Sequence, residues 1–265
     1  MSSSLKKFPL LVLALSFASL ASAQSSDEGD FQGPDYAREG GKVSLAVSAN
    51  ADYSGSDAPR ASVMPAVEYR WVNGWFAGTN RGVGYSFSKD PTLQYGLGLG
   101  VDFGRKESAT GALAGMGSID AKLEYGAFLN YTPDRHWRLS SVLRYGSGDA
   151  GQGATANFGA NYAIGIAPKW RLDLGVSTTW ANSQYMQSYF GVNATQSQQS
   201  GHAEYSPAAG LRDVSSSLNL SYQVTPKISV SGGLKASSLV GDARNSPIVT
   251  SPQSLSGSLS IGYAF

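Results

Sequence analysis

The chain has 265 residues, with 20 Lys+Arg against 19 Asp+Glu, 32 glycines, 14 tyrosines and no cysteine. Near-neutrality excludes the basic footprint needed for nucleic acid, and the missing thiols exclude a disulfide framework and cysteine-ligated metals. No run of 18 apolar residues follows the N-terminal stretch, which excludes a bundle of membrane helices and leaves a secreted β-sandwich or an outer-membrane barrel.

Lys6 and Lys7 open the chain, followed by the apolar run "FPLLVLALSFASL" and by Ala21-Ser22-Ala23 before Gln24. The apolar stretch is shorter than the roughly 20 residues of a spanning helix, and an Ala-x-Ala site follows it. Together they predict a secretory signal over residues 1–23, cleaved after Ala23, and hence an exported chain beginning at Gln24. Residues 24–41, "QSSDEGDFQGPDYAREGG", are acidic and contain glycine. They predict a flexible periplasmic segment able to serve as a partner-binding tail.

From residue 42 to residue 265 a period of two dominates. Val43, Leu45 and Val47 alternate with Ser44, Ala46 and Ser48; Val63, Val67, Tyr69 and Trp71 alternate with Ser62, Glu68 and Arg70. "TLQYGLGLGVDFG" keeps the alternation from Leu93 to Phe103, the length of a tilted transmembrane strand. Ile119, Leu123, Tyr125 and Leu129 interleave with Asp120, Lys122, Glu124 and Asn130, and Trp137, Leu139, Leu143 and Tyr145 with Arg138 and Arg144. Past "GSGDAGQG" the apolar parity moves to even numbers, from Phe158 and Tyr162 through Trp170, Leu172 and Leu174 to Leu218, Tyr222 and Leu234. The closing "LSGSLSIGYAF" puts Leu255, Leu259, Ile261, Tyr263 and Phe265 on one face and serines on the other.

A sandwich and a membrane barrel assign these faces oppositely: apolar inside for the first, apolar towards lipid for the second. The strands are longer than the usual five or six residues, and aromatics gather at their ends (Trp71, Trp75, Trp137, Tyr145, Trp170, Trp180, Tyr263, Phe265). The second face is Gly- and Ser-rich rather than heavily charged. These features predict an all-β, antiparallel transmembrane barrel. Eleven spans are legible, at about 42–52, 61–72, 75–87, 92–104, 118–131, 137–146, 154–165, 170–181, 212–224, 228–238 and 254–265. Bacterial single-chain barrels have even strand numbers, so about 12 strands are expected, with 10 as the alternative. The weak span is 75–87, where Arg81 falls on the lipid parity unless the strand breaks at Asn80-Arg81-Gly82.

With the last strand descending to the periplasm, the short Pro-containing turns become periplasmic, and segments 105–117, 147–153, 182–210 and 239–253 extracellular. The lumen then receives Glu68, Arg70, Asp102, Asp120, Lys122, Glu124, Arg138, Arg144, Arg171, Asp173 and Lys235, both signs together, as a candidate ion-pair network. Catalytic machinery is not legible. His136 sits by a turn and His202 in the longest loop, where Ser200 and Glu204 are mere sequence neighbours; "GLGLG" has no helix after it to present to phosphate. No cofactor is predicted.

The loops carry a more specific signal. "YSGSD" (53–57), "YGLGLGVDFGRKES" (95–108), "WANSQYMQSYFGV" (180–192), "SGHAEYSPAAGLRDV" (200–214) and "GDARNSPIV" (241–249) resemble the MipA/OmpV family of outer-membrane proteins over nearly all of the expected mature chain. Tyr185, Met186, Tyr189, Phe190, Gly191, Asp242, Ser246 and Pro247 carry the most specific part, and Asn245 departs from the aspartate of that motif. The terminal aromatics Tyr263 and Phe265 resemble the assembly signal of such barrels. The resemblance implies an outer-membrane location and contact with outer-membrane lipid. It also implies a scaffolding role for a murein lytic transglycosylase (MltA) and a bifunctional peptidoglycan synthase, with porin-like and adhesin roles described for other members.

Overall fold

The computed structural model describes residues 39–265; the expected signal, its cleavage site and the tail up to residue 38 lie outside the described residues. Twelve strands form β1 (Gly40–Ala51), β2 (Pro59–Arg70), β3 (Trp75–Gly78), β4 (Gly82–Ser86), β5 (Leu93–Asp102) and β6 (Lys122–Tyr131). They continue with β7 (Trp137–Ser147), β8 (Gly153–Ala167), β9 (Trp170–Ala181), β10 (Gly210–Gln223), β11 (Ile228–Leu239) and β12 (Gln253–Ala264). Each pairs antiparallel with its sequence neighbours, and β12 pairs back onto β1, closing the barrel. Gly40 and Gly41, expected in the tail, already pair with Arg70 and Tyr69.

The alternation sets the faces. Val63, Leu123 and Leu259 are 60, 65 and 67% exposed, and so are most apolar residues of their parity, while Ser, Asn and Gly turn inward. An apolar exterior of this extent requires lipid around it. The short connections 71–74, 87–92, 132–136 and 224–227 share one rim, and the long ones 103–121, 182–209 and 240–252 share the other. Short turns mark the periplasmic side and long loops the extracellular side. Aromatic pairs ring the periplasmic rim, among them Tyr69–Trp71, Trp75–Tyr85, Trp137–Tyr162 and Trp170–Tyr222, with ring centroids 4.7–5.3 Å apart. This is the interfacial girdle, where amphipathic rings sit at headgroup level. Phe265 belongs to it and to the seam. Its N–H and carbonyl each bond Gly41 at 3.0 Å, and its ring tilts over Tyr69.

Span 75–87 is not one strand but two. β3 and β4 form a short hairpin whose turn, 79–81, lifts Arg81 off the lipid face, and this division supplies the twelfth strand. Arg81 Nε lies 3.6 Å from Glu68 Oε1 on β2. Gly82 closes the turn at φ +70, where a Cβ would lie 1.9 Å from the Leu99 carbonyl oxygen. Gly96 of "YGLGLG" and Gly84 of β4 have a related purpose. A Cβ at Gly96 would sit 2.7 Å from Phe128, and one at Gly84 would sit 2.2 Å from Phe76. These bare backbones form the floor on which the Phe76–Phe128 pair, with Val142, packs inside the lumen.

Candidate functional site

The extracellular mouth carries α1 (Ser183–Phe190), α2 (Ala194–Ser200), α3 (Gly241–Arg244) and two 3₁₀ turns, Glu107–Ala109 and Gly111–Leu113. α1 starts where the Asn182 side chain accepts the Tyr185 N–H at 2.9 Å. α2 starts on a reciprocal capping box between Asn193 and Gln196 and stops at Gly201, φ +77. Neither helix is long enough to be stable alone; each is held by what it covers. Tyr53, Leu113, Met116, Val192 and Ile248, from connections all around the rim, meet in one buried cluster. Ile119, Tyr185, Met186, Tyr189, Phe190, Leu239 and Ala243 form a second. Loops that reach a common core from different sides of the rim must cross the mouth, so together they cap it.

Charged groups pin the cap to the wall. Arg105, 3% exposed, donates from Nη1 to the Tyr189 carbonyl at 3.0 Å, and burial pulls its guanidinium below its ordinary pKa. Tyr189 donates its hydroxyl to Asp102 at the top of β5, and Asp102 also accepts the N–H groups of Gly104 and Gly148 at 3.0 and 3.3 Å. Burial above all, then Tyr185 and the Asp102 charge, push the Tyr189 phenol upward, so it stays the donor. Arg212 donates to the Tyr185 hydroxyl at 2.7 Å and lies over its ring.

Below the cap, on the β7–β12 side, the lumen holds a cavity of about 490 Å³. Ser48, Asn50, Asn157, Asn161, Ser215 and Ser217 line it, with Arg144 and Lys235 as its cations. Cross-strand hydroxyl pairs, Ser48–Ser62, Ser177–Ser215 and Ser231–Ser260, are 2.7–2.9 Å apart and tie neighbouring strands together. The chamber is lined mainly by hydroxyl and amide side chains and lies beneath the cap.

The sequence-predicted residues distribute as follows. Glu68 meets Arg81; Asp102 binds the cap; Arg144 and Lys235 line the cavity; Glu124 is buried and Arg138 half-buried on the inward parity; Arg70 stands at the periplasmic end of β2. Arg171 and Asp173 pair at 2.8 Å near the periplasmic end of β9. Lys122 donates to the Asp149 carbonyl, and Asp120 stands exposed before β6, 3.8 Å from Lys106. The charges are spread along the lumen from one rim to the other. The motif residues do come together. Tyr185, Met186, Tyr189 and Phe190 are buried in α1, and Gly191 ends that helix, leaving space for the Gln187 side chain. Asp242 accepts the Ala208 N–H at 2.8 Å, the Ser246 hydroxyl donates to the Phe190 carbonyl at 2.5 Å, and Pro247 adjoins the buried Ile248. No signal in the sequence pointed to Arg105 and Arg212, which reach Tyr189 and Tyr185 on a distant segment, or to Glu68 as the partner of Arg81.

Neither histidine stands in a hydrolytic arrangement. His136 Nδ1 lies 2.9 Å from the Ala163 carbonyl in a turn, and His202 Nε2 lies 3.0 Å from the Ala112 carbonyl. The Ser200 hydroxyl donates to the Gln196 carbonyl, not to an imidazole. No cluster of metal-ligating side chains occurs among the described residues.

With barrel, girdle and cap in place, comparison with known proteins decides the family. The family described as MltA-interacting protein MipA matches residues 43–265. The chain belongs to this family. The motif residues singled out above are thus, in this MipA member, the cement of an extracellular cap on an outer-membrane barrel. No curated protein matches the chain. Similar solved structures include the NanC porin (13% identity, TM-score 0.48, covering 83% of this chain and 98% of that one). The KdgM porin is similar at 8% identity and TM-score 0.46, covering 84% and 99%. The outer membrane channel DcaP of Acinetobacter baumannii is similar at 10% identity and TM-score 0.41, covering 86% and 96%.

Proposed function

We propose that the protein is a non-catalytic outer-membrane scaffold that holds peptidoglycan-remodelling enzymes, a lytic transglycosylase and a bifunctional murein synthase, beneath the membrane. Two findings support this reading: the family is named for interaction with MltA, and the cap closes the extracellular mouth. A barrel sealed outside offers its partners the periplasmic rim, with its short turns and the adjoining segment 24–41. The test is a mild-detergent pull-down of the protein tagged after Gln24, with bound envelope proteins identified. Co-purification of a transglycosylase and a synthase, weakened by deletion of 24–38, which leaves β1 whole, is the expected result. A folded barrel that captures neither enzyme overturns the scaffold. A second reading, a porin-like channel, is favoured by the hydroxyl-lined cavity with Arg144 and Lys235. It requires single-channel conductance in planar bilayers that changes on Arg144→Gln, whereas the scaffold reading expects a silent barrel.

A further inference from the structure

The wall is not strand-paired to the same height all the way round. The β2–β3 seam runs only from Val67 to Trp71: the pairs at Glu68, Tyr69 and Arg70, the Thr79 N–H to the Val67 carbonyl at 2.9 Å, the Val67 N–H to the Thr79 hydroxyl at 3.0 Å, and the Trp71 N–H to the Trp75 carbonyl at 2.9 Å. β4 meets β5 only from Ser86↔Gly96 up to Val83↔Leu99. Above the hairpin, among the described residues, 59–66 of β2 pair with β1 alone and 100–102 of β5 pair with β6 alone. A length of sheet edge therefore stands open in the extracellular half of the wall. It lies at the depth of the lipid belt: Val63 pairs with Val47, and Val47 with Leu259.

Open edges leave backbone groups unpaired in hydrocarbon, which is why membrane barrels close. The sequence of β2 lessens that burden here. Val67 turns its carbonyl towards β3, so residues 59, 61, 63 and 65, on the same parity, turn their backbone groups towards the break. Two of these are Pro59 and Pro65, which have no N–H to leave unpaired. The same prolines make the edge a poor template for a strand added by a partner or by a second copy. Behind the break the inner face is apolar at Met64, Ala66 and Ala46, with Ser62 and Ser44 beside them. Met64 stands opposite Ala46 with Ala66 next on that face, whereas the cavity across the lumen is lined by Ser and Asn. Met64 is 41% exposed although its parity points inward.

We propose that this break is a lateral portal occupied by an acyl chain of an outer-leaflet lipid, which passes through the wall and lies on Met64 and Ala66. Hydrocarbon is the occupant that requires no backbone hydrogen bonds from the edge. Both sides of the break, Val63 and Val67 on β2 and Leu99 and Val101 on β5, already present apolar side chains to lipid. The Glu68–Arg81 pair forms its lower lip.

The chain has no cysteine, so single cysteines can be placed without background. Met64→Cys carrying a nitroxide, in the full-length protein reconstituted into lipid bilayers, reports collision with apolar oxygen against a water-soluble nickel chelate. Leu259→Cys serves as the lipid reference and Ser217→Cys as the lumen reference. An oxygen-to-nickel ratio at position 64 matching that at 259, and several-fold above that at 217, is the expected outcome. A ratio like that at 217 means a water-filled lumen and overturns the portal. Low collision with both reagents means that protein covers the edge, and it overturns the portal equally. Ala66→Cys reads the same face should Met64→Cys fail to fold.

Discussion

At the scale of single residues, Asp102 joins three parts of the chain: the top of β5, the loop after β7 and helix α1, through Gly104, Gly148 and Tyr189. Hydrogen bonds to a charged group contribute about 1.5–3 kcal/mol, and a buried acceptor that loses its donor costs a similar amount. Tyr189→Phe keeps the ring against Tyr185, 4.5 Å between centroids, and removes only the hydroxyl. The cap is expected to open locally while the barrel stays whole. Proteolysis within 182–209 should then accelerate about ten-fold or more, since each 1.4 kcal/mol is a factor of ten in the open population. Heat-modifiability of the barrel on gels should not change. Unaltered cleavage would show that Asp102 does not hold the cap down.

At the scale of elements, the hairpin β3–β4 is the point where the wall is thinnest, and Gly82 is the residue that permits it. Gly82→Ala combines a positive φ, costing about 1–2 kcal/mol for an L side chain, with a Cβ 1.9 Å from the Leu99 carbonyl oxygen. Gly117 has a similar φ of +73 but open space around its Cβ position, so Gly117→Ala isolates the backbone contribution. Gly82→Ala is expected to lower the unfolding temperature well beyond Gly117→Ala; equal shifts would mean that β4 adds nothing to closure. The hairpin also shows why only eleven spans were legible although twelve strands were expected and twelve form. Ala77 faces Val83 across the turn, so apart from Arg81 the odd positions from Trp75 to Phe87 stay apolar or neutral through the reversal, and alternation alone sees one strand. The long strands were legible because lipid and lumen ask for different residues at every second position. Of the cap only the motif aromatics Tyr185, Tyr189 and Phe190 stood out; its anchors Arg105 and Arg212 did not, because they find Tyr189 and Tyr185 far away in the chain, where no period connects them.

At the scale of the whole molecule, the direction in which the faces point decides between a membrane barrel and any soluble alternative, and adjacent residues of one strand can test it. Leu259, 67% exposed, lies between Val47 and Gly232 on the lipid face of β12, while Ser258 lines the aqueous cavity on the other face. An arginine on the lipid face near mid-membrane costs about 2–4 kcal/mol, whereas in a wet lumen it keeps its hydration. Leu259→Arg is therefore expected to reduce assembly into bilayers and to lower the denaturant midpoint, and Ser258→Arg to leave both close to wild type. The contrast is sharper than either variant alone, because both add the same bulk and charge to the same strand at nearly the same depth. Equal penalties would mean that the two faces do not differ in polarity. A larger penalty at Ser258 would turn the barrel inside out and return the chain to the soluble sandwich.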